Sequence, residues 1–406
     1  MFKWPFSIRS LCVVVVICLA AVLSSHSHAV LASGGPTATP SATERVFFIS
    51  ANYDTFGDFF VINIDGTGVK QITHDLLIGA ANNLIKSANI AYYSSYMTKG
   101  YLWGGAALSP DGRYIAVAWT VAIFDSTRGG DGITVTEPAL YLVDGDTLSV
   151  QNIPIQSLKR FSTIAFAPDG KHIAFVADRN GKGQIDWVDL EHDFKIQPLV
   201  EDDADKDFPG WSPDGKSLLY IDDKDKKSQV YVADADGSHP HSLTDNLKID
   251  LVPTRPSDFS VYRHDLPEEK MEPTWSPDGK QIAFASWQGK KIASYLMNAD
   301  GSNVRVLLPS GKGGNAFWLN DQTLFFGSNR AFPDAYQLYT IKADGTGERR
   351  MTDHGGGLFN IDISADNKRL VFDTGLHRIY LMNTDGSGEH ILRFNADFGL
   401  FWEARR

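Results

Sequence analysis

"WSPDGK" at residues 211–216 recurs unchanged at 275–280, with looser copies "LSPDGR" at 108–113 and "FAPDGK" at 166–171. Proline presets φ and glycine accepts a positive φ that a side chain resists, so Pro-Asp-Gly suits a tight hairpin. The repeated Asp and Gly are therefore read as turn residues, not as reactive groups. A second signature lies between the copies: "NIDGTGVKQIT" (63–73), "DADGSHPHSLT" (234–244), "NADGSNVRVLL" (298–308), "KADGTGERRMT" (342–352) and "NTDGSGEHILR" (383–393). Weaker forms begin at 142 and 187.

The aspartates of these seven segments, Asp65, Asp144, Asp189, Asp236, Asp300, Asp344 and Asp385, are spaced 79, 45, 47, 64, 44 and 41 residues apart. Four spacings are one unit long, and two are a unit plus an insertion. A unit of about 40–45 residues holding several short strands is the signature of a β-propeller blade. Seven inner strands can be counted, from "LWGGAAL" (102–108) to "FGLFW" (398–402), and seven outer ones beginning with "KQIT" (70–73). At the N-terminus "RVFFIS" and "DFFVINI" lead straight into "KQIT" with no inner strand, whereas the last segment is an inner strand with no blade after it. The two ends are expected to share one blade and close the ring, which pairs edge strands that would otherwise invite aggregation. The fold class is all-β, a seven-bladed propeller over 45–406, with six blades as the alternative count.

The chain has 406 residues, 43% of them apolar and 21% charged, with a formal charge of −11. Such an acidic balance argues against a nucleic-acid partner held by phosphate neutralisation. Residues 1–32 differ from the rest: Lys3 and Arg9 flank a basic start, "LCVVVVICLAAVL" (11–23) is apolar, and "SHA" (27–29) and "VLA" (30–32) offer small residues for cleavage. This layout predicts a secretory signal, because a membrane span needs about 20 apolar residues. An uncleaved anchor is the rival. Both cysteines, Cys12 and Cys18, fall inside it, and its loss moves the charge from −11 to −13. "SGGPTATPSATE" (33–44) reads as a flexible linker. The expected mature chain is a monomer without disulfides or a transmembrane span, periplasmic or extracellular.

"WSPDGKQIAFAS" (275–286) followed by "LMNADGSNVRVLL" (296–308) resembles the propeller repeat of TolB and of the N-terminal domains of dipeptidyl-peptidase-type proteins. The resemblance runs over about 45–406 and implies the fold. TolB proteins carry six blades behind an α/β domain, where this sequence has seven and a tether. The peptidases add an α/β-hydrolase domain, and no G-x-S-x-G with a helical domain after it occurs here. Neither the TolB envelope role nor peptidase activity is implied.

Strand direction alternates within a blade, so the "PDG" and "DGS" turns share one face and all long insertions fall on the other. These insertions are 74–100, 120–138 and 245–271. Long loops on a rigid scaffold concentrate function, which makes this face and the channel mouth the expected binding site. The first insertion carries Tyr92, Tyr93 and Tyr96, rings with polar tips suited to peptides or sugars; packing of the loop on the blade tops is the competing reading. The third carries Arg263 and His264, a patch for an acidic group or simply solvated charge. Turn positions on the same face add Tyr53, Asp54, Arg179, Trp287 and Arg330, and His74 and His354 follow outer strands. Trp211, Trp275, Trp318 and Trp402 recur at one inner-strand position, which favours packing between blades.

Within "DRNGKGQIDWVD" (178–189), Asp178, Asn180, Asp186 and Asp189 match calcium-loop positions, but Lys182 sits where a ligand is expected and the flanks read as strands. An ordinary hairpin is favoured over calcium, and no cofactor is expected. No H-E-x-x-H, cysteine nucleophile or P-loop is present. The sequence thus predicts an exported, non-enzymatic propeller that binds a protein, peptide or glycan. The alternative is a metal-dependent polysaccharide lyase or hydrolase at the channel mouth, where His74, His264 and His354 could converge.

Overall fold

The computed structural model describes residues 45–52, 55–72, 97–125, 132–135, 139–155, 158–159, 163–224, 228–245, 247, 272–288, 291–314, 316–331, 336–353, 358–364, 366–374, 378–394 and 398–403. The signal and linker expected over 1–44 lie outside them. Among the described residues there is no α-helix, and so none long and apolar enough to cross a membrane.

Seven antiparallel sheets form seven blades, not six. The first blade joins the two ends of the chain. Its inner strand is Phe398–Glu403, paired with Arg45–Asn52 so that Val46 faces Trp402 and Phe47 faces Phe401. Thr55–Asn63 and Lys70–Gln71 complete that sheet. The other six run in chain order; the inner strands of blades two to six touch in succession, as do those of blades seven and one.

The "WSPDGK" turns hold themselves together. Ser212 Oγ donates to Asp214 Oδ1 at 2.8 Å, and the same carboxylate accepts the Lys216 N–H at 3.1 Å. Gly215 closes the turn with φ 70°, where any other side chain is strained. Ser109 with Asp111, Ser276 with Asp278 and Ser364 with Asp366 repeat the hydroxyl–carboxylate pairing at 2.6–2.8 Å. The motif is spent on turn geometry, as the spacing implied.

The apolar core lies in the gaps between blades. Val371, Ile379 and Leu381 of the seventh blade bury against Val46, Phe48 and Ile62 of the first, so the ring closes by packing as well as by pairing. Each such side chain contributes about 1.5–3 kcal/mol. Ring pairs recur on facing middle strands: Phe284 on Tyr295, Phe326 on Tyr339 and Phe372 on Tyr380, with centroids 5.3–5.4 Å apart.

The second blade departs from expectation. Met97–Leu108 and Tyr114–Asp125 pair from Leu108 opposite Ile115 out to Met97 opposite Asp125, and Gly132–Val135 adds a fifth strand beside Ala122–Asp125. Parts of the insertions 74–100 and 120–138 are therefore sheet, not loop. The β-branched and aromatic residues of "WTVAIFD" (119–125) continue the strand pattern past the body of the blade.

Candidate functional site

The inner strands of blades two to six line a cavity of about 80 Å³. It runs from Thr163, Phe208 and Glu272 at one end to Pro110, Pro168 and Pro213 at the "PDG" end. Trp211, Trp275 and Trp318 enter it from three successive blades. Trp275 donates its indole N–H to the Gly210 carbonyl of the preceding blade at 3.4 Å, and Trp318 does the same to the Thr274 carbonyl at 3.3 Å. The expected packing between blades is thus present, and the same rings also wall the cavity. Trp402 stands in the inner strand of the first blade.

Two residues break this pattern. Trp211 Nε1 is buried with no hydrogen-bond partner, and so is Thr274 Oγ1. At the position of Thr274 blades two, three, four and six carry Ala107, Ala165, Gly210 and Phe317, and blade seven carries Asp362. Neither atom reaches the surface of the cavity, whose wall is rich in proline and aromatic rings.

Charged groups gather between the third and fourth blades on the face of the long links. Lys206 is fully buried, its ammonium 3.1 Å from Asp222 Oδ2 and also bonded to Asp202. Burial pushes the Asp222 carboxyl up, against the pull of Lys206. Asp223 is likewise raised by burial, despite the Ser228 hydroxyl that hydrogen-bonds it. Lys159 from the link before blade three reaches Asp205 in the next link at 2.6 Å, and Thr163 donates to Asp207 at 3.0 Å. These contacts fix the links that frame the channel. Sequence reasoning passed over Lys206: counting the hairpin outward from "WSPDGK" places Asp207 opposite Asp222, and a bulge between Asp207 and Gly210 brings Lys206 there instead.

Of the sequence candidates, Tyr53, Asp54, His74, Tyr92, Tyr93, Tyr96, Arg263, His264 and His354 lie outside the described residues, as does nearly all of 245–271. Trp287 stands in the strand Gln281–Gln288 opposite Ile292. Arg179 pairs with the buried Asp186 at 2.6 Å, and Arg330 pairs with Glu348 while lying 4.1 Å over the Tyr339 ring. Both arginines are thus engaged within their own blades. The calcium candidates sit in a paired hairpin with Asn180 and Gly181 at its tip, φ 56° and 83°. Asp178 accepts the Gly181 N–H at 2.7 Å, Asp186 holds Arg179, and Asp189 holds His192 at 2.8 Å. Among the described residues no three His, Cys, Asp or Glu side chains are placed to share a metal ion.

Residues 180–305 match the family model of the dipeptidyl peptidase IV (DPP IV) N-terminal region. TolB from Acinetobacter baumannii is 20% identical with a TM-score of 0.47, the match covering 77% of this chain and 65% of that one, less than two thirds of its length. An oligogalacturonate lyase from Vibrio parahaemolyticus is 11% identical with a TM-score of 0.53, covering 85% and 90% of the two chains. A second oligogalacturonate lyase, solved in complex with manganese, is 13% identical with a TM-score of 0.52, covering 86% and 85%. At these identities the likeness is one of fold. The chain is a seven-bladed β-propeller, and its residues 180–305 are similar to the dipeptidyl peptidase IV N-terminal region.

Proposed function

We propose that this chain is an exported, non-enzymatic recognition propeller that binds a protein, peptide or glycan at its channel and at the face of the long links. The observation that supports it most is the wall of the axial cavity. There the rings of Trp211, Trp275 and Trp318 stand with Pro110, Pro168 and Pro213, an apolar and aromatic lining of the kind that holds peptides and sugars. Export rests on the basic and apolar layout of residues 1–32.

Two measurements test this reading. The N-terminus of protein recovered from the exported fraction should begin after residue 29 or 32. Peptide and glycan arrays should retain the mature protein, less so after Trp211→Ala, which removes a ring from the cavity wall. Retention on neither array, together with stoichiometric bound metal and turnover of a polysaccharide, would replace this function with the lyase or hydrolase reading, for which His74, His264 and His354 are the candidates.

A further inference from the structure

We infer that the link 201–205 is a proton-operated strap at one end of the cavity, drawn tighter when Asp223 carries a proton. Such a strap acts whatever the cavity binds. The link joins the third blade to the strand Lys206–Trp211 and is held from both sides. On the blade-three side the buried Gln184 accepts the Asp202 N–H at 2.8 Å and donates to the Ala204 carbonyl at 2.6 Å. Lys182 donates to the Asp203 carbonyl. Asp205 Oδ1 accepts the Gly183 N–H and the Lys159 ammonium, the latter at 2.6 Å. On the other side the Asp223 N–H donates to the Asp205 carbonyl at 2.8 Å, which binds the link to the Asp223 backbone. Two residues further on, Asp207 accepts the Thr163 hydroxyl and the Phe208 N–H, each at 3.0 Å, and both Thr163 and Phe208 border the cavity.

Asp223 stands among like charges. Facing it are the carboxylates of Asp205 and Asp207 on the link side and of Asp222 on its own strand. The nearby ammonium groups are spent elsewhere: Lys206 on Asp222 and Asp202, Lys159 on Asp205. Lys224 and the Tyr220 phenol face Asp202 and Asp222. Asp225, Lys226 and Lys227 lie outside the described residues. Among the described residues Asp223 has the Ser228 hydroxyl as its side-chain partner and no cation. Donors are short here as well, since the neighbouring Asp222 Oδ1 is buried without a hydrogen-bond partner. A proton on Asp223 removes one of the crowded charges and adds an O–H donor to a cluster that lacks one. Burial raises the Asp223 carboxyl above its ordinary value of 3.8, the Ser228 hydroxyl opposes the rise, and Asp205, Asp207 and Asp222 add to it. A carboxyl raised in the folded state takes up its proton before the unfolded chain does. The strap therefore gains stability as pH falls through the raised value and gives it up again as pH climbs back.

Hydrogen exchange of the mature chain tests this at the Asp223 and Gly183 amides, the two main-chain donors to Asp205. Rates are taken at about pH 5 and about pH 7.5, corrected for intrinsic exchange and set against amides of the seventh blade. Protection of both amides should be at least about fivefold greater at the lower pH. In Asp223→Asn, neutral at either pH, it should be high at both. Wild-type protection that ignores pH, or a pH dependence that survives Asp223→Asn, overturns the strap. Should that variant not fold, the carboxyl ¹³C shift of Asp223, assigned through its own backbone in the wild type, decides the matter. A midpoint clearly above the ordinary carboxylate value of about 4 is expected, and one at or below it overturns the strap.

Discussion

Trp275 of the fifth blade donates its indole N–H to the main-chain carbonyl of Gly210, 3.4 Å away in the inner strand of the fourth. The bond ties neighbouring blades at the wall of the channel, and Trp318 repeats it on Thr274. Trp211 has the same ring in the same place without the bond. Replacing each by phenylalanine removes the N–H and part of the ring. The ring loss is common to all three, whereas a hydrogen bond worth about 1 kcal/mol is lost only in two. Trp275→Phe and Trp318→Phe should therefore each cost about 1 kcal/mol more than Trp211→Phe in urea unfolding. Equal costs would mean that the two bonds contribute nothing to stability.

The ring closes where Phe47 faces Phe401 across the strand pair of the first blade. Deleting 398–406 removes an inner strand and exposes the edge of Arg45–Asn52. The loss should reach several kcal/mol, from buried apolar surface and ladder bonds together. The open edge should also bring concentration-dependent association, which light scattering would detect. A truncated chain as stable and as monomeric as the full one would contradict closure by the two ends.

Much of this architecture was legible because the repeat exposes its own punctuation. The missing inner strand before "KQIT" and the surplus one at 398–402 required a shared blade, and Val46 opposite Trp402 is that blade. The turns were legible because Ser212, Asp214 and Gly215 satisfy one another locally. The candidate site was less so. Whether Trp211 finds a carbonyl depends on the offset between blades three and four, which no linear spacing records. Arg179 and Arg330 looked available as turn residues, yet the folded sheets bring Asp186 and Glu348 to them. The strand extension at 119–125 was hidden because it runs into the insertion 120–138.

Lys206 and Asp222, both buried to within about a percent, form an ion pair that the surrounding blades have stripped of water. Removing one partner strands the other charge, at a cost of about 3–5 kcal/mol. Lys206→Met should destabilise by about that amount, and Asp222→Asn somewhat less because Asp202 still engages the ammonium. The double variant Lys206→Met with Asp222→Leu should recover most of the loss, since an apolar pair needs no compensation. A double-mutant cycle from chemical denaturation measures this, and strictly additive costs would show that the pair is not coupled.

Asp65, Asp236, Asp344 and Asp385 cap their turns alike, each accepting a main-chain N–H and a hydroxyl from the residue two ahead. The side-chain hydroxyl bond, seconded by the main-chain bond, holds each carboxyl below its ordinary value of 3.8. A carboxylate lowered in the folded state adds stability above its unfolded value, and that stability is lost as pH falls through the folded values. Stability of the wild type should therefore drop on acidification below about pH 4. The four Asp→Asn replacements together should flatten that drop and leave the slope near pH 6 unchanged. An unaltered acid limb would place the acid-sensitive groups elsewhere.

Gly237 and Gly345 occupy equivalent Asp-Gly turns with φ 81° and 84°, but only the first is crowded. A Cβ at Gly237 would lie 1.7 Å from the Leu199 carbonyl oxygen of the preceding blade, whereas one at Gly345 would meet nothing within 4 Å. Alanine at 345 carries only the left-handed backbone strain, about 1–2 kcal/mol, and asparagine less because it visits that region readily. Alanine at 237 carries the same strain and must also push a turn away from backbone that cannot yield as a side chain would. Gly237→Ala should thus cost at least about 2 kcal/mol more than Gly345→Ala in denaturation, beyond what strain alone supplies. The gap between the two variants measures how tightly the third and fourth blades are seated on each other. If it vanished, the turn of blade four would not rest on Leu199 at all.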